Sequence, residues 1–115
     1  MQNWKIKRMS VKRINLWLSA IGKLIKHYEG KVRINHCPLC HVSRRSHSPG
    51  DCCWLCLWEI IEGVDCEDFA KELYGVRRAS VYRSNLRFKK WRIIRLGQLR
   101  NWKKIFKVEL ARRDL

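Results

Sequence analysis

Apolar residues recur at intervals of three and four along the first third of the chain. They are Val11, Ile14, Leu18, Ile21, Ile25 and Tyr28. Ser10 before them is a favourable N-cap and Gly30 follows the last of them, so the pattern predicts an amphipathic helix within residues 10–30. Trp17 and Leu24 widen the apolar stripe, and lysines occupy the opposite face. Packing on a core is the first interpretation of such a helix, and binding to a membrane surface is the alternative.

The centre of the chain interrupts this periodicity and then shows two shorter helical patterns. Proline, glycine, serine and histidine are frequent in residues 33–50, which predicts an irregular knuckle. Asp51 can cap a helix over about 52–62, and Asp65 can cap another that stops at Gly75. The predicted buried edge of this second helix consists of Phe69, Ala70 and Leu73.

Three-to-four spacing returns in the C-terminal part of the chain. The apolar positions there are Val81, Tyr82, Leu86, Trp91, Ile94, Leu99, Trp102, Phe106 and Leu110. Gly97 interrupts the pattern, and glycine costs about 1 kcal/mol relative to alanine in a helix interior. We therefore expect a kink or break there, which leaves either one long helix or a pair of helices.

Charge is strongly segregated along the chain. The 115 residues contain 26 Lys and Arg against 10 Asp and Glu, which gives a formal net charge of +16. Residues 5–33 hold nine bases and one acid, residues 51–75 hold seven acids and one base, and residues 76–108 hold twelve bases and no acid. Such segregation predicts a basic surface built by the two flanks and braced in part by the acidic centre.

Four cysteines form two Cys-x-x-Cys pairs in the centre. Cys37 and Cys40 make the first pair, and Cys53 and Cys56 make the second. Thiolates at this spacing can close a tetrahedral site, which contributes folding energy and no catalysis, so we expect a structural Zn²⁺ ion. Cys52 lies four residues before Cys56 and can replace Cys53 on the same helical face. Further alternative ligands are Cys66, His36, His41 and His47. Cys66 can instead be a buried thiol that packs as a small hydrophobic residue.

Length, apolar content and cysteine usage restrict the class of protein. With 46% apolar residues and six tryptophans, a chain of 115 residues can bury a modest core, so we expect a folded domain. No stretch has the roughly 18 uncharged apolar residues of a membrane span, and the first residues lack the apolar run of a signal peptide. We therefore expect a cytoplasmic protein whose cysteines are metal ligands and buried thiols, with a secreted disulfide protein as the alternative.

Together these elements predict a mainly α fold. We expect a small single domain over residues 1–115, in which a zinc knuckle joins amphipathic helices. Its parts are an N-terminal basic helix over 10–30, a zinc-binding acidic centre over 33–75 and a basic helical tail over 76–115. The tail contains the long C-terminal helix, or the helix pair broken near Gly97.

The two cysteine pairs belong to a longer pattern that ends in a glycine, a further cysteine and a tyrosine. Its positions are Cys37, Cys40, Cys53, Cys56, Gly63, Cys66 and Tyr74. In this pattern the segment resembles small uncharacterised zinc-knuckle proteins encoded by bacteriophages. The resemblance covers about a third of the chain. It implies a metal-binding accessory protein that is made during infection and acts in the host cytoplasm.

The sequence favours binding over catalysis. It contains no glycine-rich phosphate loop, no Gly-x-Ser-x-Gly elbow and no His-Glu-x-x-His motif, so we predict no catalytic residues and no enzyme. The acid-free basic tail favours nucleic acid as the partner, and RNA over DNA because no base-reading helix-turn-helix or finger pattern is present. The predicted contacts are Arg44, Arg45, Arg83, Arg87, Lys89, Lys90, Arg92, Arg95, Arg100, Lys103, Lys104 and Lys107.

Two functional interpretations compete. In the first, the protein is a regulator that binds RNA or a transcription or translation complex. In the second, it is an adaptor or inhibitor that docks on a host protein machine such as RNA polymerase, a ribosome or a defence nuclease, where its cations meet an acidic groove. Binding to a membrane surface is a third possibility, and it predicts a gain of helix on anionic vesicles.

Overall fold

The computed structural model describes residues 6–34, 37–46, 57–75 and 86–114, with residues 43–46 described by their backbone alone. These residues form helices and no strand, as the mainly α prediction requires. The elements are α1 (Val11–Tyr28), α2 (Pro38–Ser46), a π-helix (Trp58–Glu62), α3 (Cys66–Tyr74) and α4 (Lys89–Arg113). They form one small compact domain.

Helix α1 begins and ends where the sequence predicts. The Ser10 side chain accepts a hydrogen bond from the backbone N–H of Arg13 at 3.1 Å. Gly30 adopts a φ of 80°, a left-handed conformation that glycine reaches at little cost, and the chain turns there. The buried side chains of the helix include Ile14, Trp17 and those that follow at helical spacing, which confirms packing on a core. Its first apolar position, Val11, is instead half exposed.

Helix α3 also has the predicted caps. The Asp65 carboxylate accepts a hydrogen bond from the backbone N–H of Asp68 at 2.8 Å, and Gly75 ends the helix with a φ of 75°. Phe69 and Ala70 are buried along its predicted edge. The π-helix Trp58–Glu62 forms the end of the helix predicted over 52–62, whose beginning lies outside the described residues.

The irregular knuckle predicted over residues 33–50 is wrong for much of its length, because α2 occupies Pro38–Ser46. Proline is well suited to the first position of a helix, where its missing N–H needs no partner. Leu39 and Val42 then lie three residues apart and are buried against the core. Helix α2 packs on α1, and this tertiary contact stabilises a segment whose composition favours loops.

The expected break near Gly97 is also wrong, since α4 runs without interruption from Lys89 to Arg113. Trp91 on one side of Gly97, and Leu99 and Trp102 on the other, are almost completely buried. Packing on both sides of the glycine outweighs its intrinsic cost of about 1 kcal/mol. Of the two forms predicted for the tail, the structure therefore has the single long helix.

Helix α4 is the element on which α1, α3 and the π-helix pack. The Trp91 indole N–H donates to the Tyr28 hydroxyl of α1 at 2.8 Å, and the Trp91 ring lies 4.6 Å from that of Phe69 in α3. Trp102 donates to Glu62 at 2.7 Å, and its ring centroid lies 4.2 Å from that of Trp58. Three tryptophans thus link α1, the π-helix and α3 to the long basic helix.

The C-terminal end of α4 holds the residues before α1. The Arg113 guanidinium donates to the backbone carbonyls of Met9 at 2.6 Å, Lys7 at 3.0 Å and Ile6 at 3.3 Å. The carboxylate of Glu109 lies 3.0 Å from Arg113 and 2.7 Å from Arg112. These charge-assisted hydrogen bonds join the two ends of the described chain.

Acid should weaken this junction. Hydrogen bonds from Arg112 and then Arg113 lower the pKa of Glu109 from 4.5 to about 2. A carboxylate with a lowered pKa contributes stability that is complete above its unfolded-state pKa and is lost as the pH falls toward its folded-state pKa. We expect the difference in free energy of unfolding between wild type and Glu109→Gln to be constant near neutral pH and to shrink between pH 4.5 and about 2.

The control for this prediction is Glu72→Gln, which removes the same charge from an exposed position on α3. Urea unfolding of the three proteins at a series of pH values measures the effect. The comparison covers the pH values at which the protein still unfolds cooperatively, because loss of zinc in acid is itself expected to abolish that transition. Parallel pH curves for wild type and Glu109→Gln would contradict the assignment.

Candidate nucleic-acid surface and metal-binding thiols

Basic side chains form a line along one face of α4, which we call the α4 stripe. It consists of Lys89, Arg92, Arg100, Lys103 and Lys107. Their separations of three, four and eight residues keep them near one side of a helix with 3.6 residues per turn. All are exposed except Arg92, which is half-buried. At 1.5 Å per residue the stripe is about 27 Å long.

One member of the stripe is tied to α1. Arg100 donates to the Glu29 carboxylate at 3.0 Å, and Lys31 lies 3.4 Å from the same carboxylate. These contacts, the Arg100 hydrogen bond above all, lower the pKa of Glu29. The pair brings Lys31 beside the middle of the stripe and partly neutralises Arg100, so the remaining stripe residues carry most of its field.

The predicted nucleic-acid contacts that do not belong to the stripe lie in different parts of the molecule. Lys90 is exposed on a different side of α4, about 100° from Lys89, whereas Lys104 is exposed at the edge of the stripe, four residues from Arg100 and three from Lys107. Arg87 is exposed just before the helix. Arg83 and the side chains of Arg44 and Arg45 lie outside the described residues.

The prediction of Arg95 as a nucleic-acid contact is wrong, because this residue is only 1% exposed. Its guanidinium carbon lies 3.7 Å from the ring centroids of both Trp58 and Phe69, and its side chain donates to Gln98 at 3.1 Å. A planar, weakly hydrated guanidinium suits such a position between aromatic faces. The signal was present in the sequence, since Arg95 lies four residues from both Trp91 and Leu99 on the apolar face.

The first cysteine pair lies at the start of α2. Cys37 is 9% exposed and Cys40 is half-buried. A hydrogen bond between the two thiols, with burial and the nearby sulfurs of Cys40 and Cys66, raises the pKa of Cys37. Cys66, at the start of α3, is 7% exposed and belongs to the same core. The fold therefore brings cysteines of the first pair and of α3 into one region.

The rest of the predicted zinc site is only partly visible. Cys52, Cys53, Cys56, His36 and His47 lie outside the described residues, and His41 is exposed. Within the described ranges no three donor side chains are close enough to hold a metal ion. Leu57, which directly follows Cys56, is completely buried, so the chain enters the core immediately after the second pair.

Two further findings concern the membrane-spanning capacity of the helices and the similarity of the chain to known proteins. No helix in the described part of the chain combines the length and apolar character needed to cross a bilayer. Comparisons with protein families, characterised proteins and solved structures found no match to this chain. We therefore infer function from the charge, burial and geometry of the chain's own residues.

Proposed function

We propose that the protein is a non-enzymatic, zinc-stabilised nucleic-acid-binding protein. The α4 stripe is the observation that supports this function. It places five cations along about 27 Å of a rigid helix. The only acid of that helix, Glu109, is on the buried side and paired with Arg112 and Arg113. An acid-free line of this length exceeds what solubility requires of a surface and suits a phosphate backbone.

RNA is the favoured nucleic acid. Helix α4 packs on the core along one face, and its exposed outer face carries the stripe, which can follow a phosphate backbone. RNA is favoured over DNA because the sequence contains no helix-turn-helix or finger pattern that presents a base-reading helix. Side chains that reach only phosphates give affinity without base recognition. We expect the protein to act on structured or single-stranded RNA in a transcription or translation complex, and phage origin fits the cysteine pattern.

Zinc has a structural part in this proposal. Cys37 and Cys40 supply two thiolates at the start of α2, and Cys53 and Cys56 are the proposed second pair, with Cys52 and Cys66 as alternates. Thiolates are soft donors that zinc prefers, and four of them leave no open position for water. The ion then contributes to folding by joining the start of α2 to the segment that carries Cys53 and Cys56.

The salt dependence of RNA binding tests the stripe. Lys103→Ala combined with Lys107→Ala removes two exposed stripe cations, so the slope of log affinity against log salt should become shallower by about 1.4, at about 0.7 per phosphate contact with a single strand. Affinity at 0.15 M salt should fall about tenfold. Fluorescence polarisation with single-stranded RNA, duplex RNA and duplex DNA of equal length measures both, using zinc-loaded, nuclease-treated protein.

The matched control is Lys12→Ala combined with Lys23→Ala, which removes the same charge from exposed positions on α1. We expect a markedly smaller change in slope and affinity. Equal losses in the two double variants would mean that binding follows net charge and not the stripe. An unchanged slope in Lys103→Ala/Lys107→Ala would refute the stripe as the phosphate surface and favour docking on a protein machine.

A further inference from the structure

A second surface of α4, away from the stripe, forms a groove with the residues before α1. We call it the N-terminal groove. Its floor is Ile6, Ile105 and Val108, its rim is Lys7, Lys104 and Arg112, and the Glu109 carboxylate that pairs with Arg112 also lines it. The volume is about 320 Å³, at the lower end of the range in which proteins bind small ligands or single anchoring groups of a partner.

The floor of the groove is aliphatic and partly uncovered. Ile6 is buried and Ile105 is half-buried, whereas Val108 is 68% exposed. No other large apolar side chain among the described residues is so exposed. An exposed aliphatic residue beside an apolar groove and within a cationic rim marks an interaction surface more strongly than a single exposed valine elsewhere.

The rim is positively charged. Arg112 is paired with Glu109 at 2.7 Å, but neither Lys7 nor Lys104 has a carboxylate within ion-pairing distance in the described part of the chain. Both ammonium groups are exposed at the edge of the groove. An occupant should therefore bring negative charge on both sides of an apolar group.

Hydrogen bonds within the protein fix the two walls of the groove relative to each other. Arg113 donates to the backbone carbonyls of Lys7 and Ile6, so the wall formed by the N-terminal residues is fixed to the wall formed by α4. A surface that needs little ordering on binding retains more of its contact energy as affinity.

The chemistry of the floor distinguishes possible occupants. A nucleotide base would use an aromatic face for stacking or free polar groups for its edges. The groove has no aromatic lining residue, and the Glu109 carboxylate is already paired with Arg112 and Arg113. Phosphate alone would leave the apolar floor uncovered. An aliphatic side chain flanked by carboxylates satisfies both the floor and the rim, and such segments occur on protein surfaces.

We propose that the N-terminal groove binds an acidic segment of a partner protein, inserting a leucine, isoleucine or valine side chain over Val108 and placing carboxylates against Lys7 and Lys104. This surface is additional to the nucleic-acid stripe. A protein that uses both would link a nucleic acid to a protein partner, and the two proposed interfaces lie on different sides of one helix.

The test uses three blocked hexapeptides with the full-length, zinc-loaded protein. The probe has two leucines between pairs of glutamates; one comparison peptide replaces leucine with serine, and the other replaces glutamate with glutamine. We expect the first to bind at least tenfold more tightly than either comparison peptide and to shift the methyl resonances of Val108 and Ile105. Equal binding of the serine peptide, or shifts confined to the stripe, would overturn the proposal.

Variants separate this surface from the stripe. Val108→Ser and Lys104→Ala should each weaken the acidic leucine peptide severalfold, whereas Lys103→Ala should not, and all three positions are exposed so that folding is little affected. RNA affinity should instead fall more in Lys103→Ala than in Lys104→Ala. Unchanged peptide affinity in Val108→Ser, or displacement of the peptide by RNA, would overturn the groove assignment without bearing on RNA binding at the stripe.

Discussion

Removal of zinc is expected to abolish the cooperative unfolding transition of the protein. Structural zinc sites in small domains contribute about 10–16 kcal/mol at neutral pH, and complete domains have stabilities of about 5–15 kcal/mol. If the four-thiolate site is present, its loss therefore equals or exceeds the stability of the whole domain. The effect should be strong here because Cys37, one of the proposed ligands, is buried in the core around which α1 and α4 pack.

Circular dichroism during titration with a chelator, together with the metal content by mass spectrometry, measures this effect. Cys37→Ser and Cys40→Ser should lose the metal and the helical signal together. Cys66→Ala is the informative comparison, because a buried thiol that is not a ligand leaves the zinc content at one ion per chain. A protein that keeps its thermal transition in chelator, or a Cys37→Ser variant with a full zinc content, would contradict a structural metal.

Local signals explain the elements that the sequence predicts well. The ends of α1 and α3 depend on a side chain that accepts a hydrogen bond from a backbone N–H three residues later, and on a glycine that can adopt a positive φ. Both requirements involve residues that are close in sequence. They can therefore be recognised without knowledge of what the helix packs against.

The errors have tertiary causes. Helix α2 forms in a segment rich in loop residues because Leu39 and Val42 are buried against α1, and α4 continues through Gly97 because tryptophans anchor it on both sides. In each case packing energy overrides a local preference of about 1 kcal/mol. A sequence pattern records the preference but not the partner that opposes it.

The candidate surfaces likewise combine features that follow from local sequence with features that depend on tertiary contacts. The sequence predicted the basic residues of the tail as one set of contacts, and their division into the stripe, the other sides of α4 and the buried Arg95 required the continuous helix. The pairing of Arg100 with Glu29 and the junction of Arg113 with residues 6–9 join positions far apart in the chain, and no local signal indicates them. The N-terminal groove depends on that junction and could not have been predicted.

Arg95 provides the second large expected effect, because its side chain fills the space between two aromatic rings. Arg95→Ala should lower the free energy of unfolding by about 3 kcal/mol or more, since it leaves a cavity and removes the stacked guanidinium. Arg95→Met keeps most of the volume, and replacing a buried charge by an apolar group of similar size is often close to neutral, so we expect a cost of about 1 kcal/mol or less. Urea unfolding of the zinc-loaded proteins measures both values.

Arg92→Ala is the matched control, because Arg92 belongs to the stripe on the same helix and is half-buried. It should reduce RNA affinity and change stability little, whereas Arg95→Met should leave RNA affinity and its salt slope unchanged. This crossed result would separate the basic residues that hold the core from those that meet phosphates. A stable Arg95→Met variant with a shallower salt slope would instead mean that Arg95 contacts the nucleic acid. An Arg95→Met variant as unstable as Arg95→Ala would show that the charge itself is required between Trp58 and Phe69.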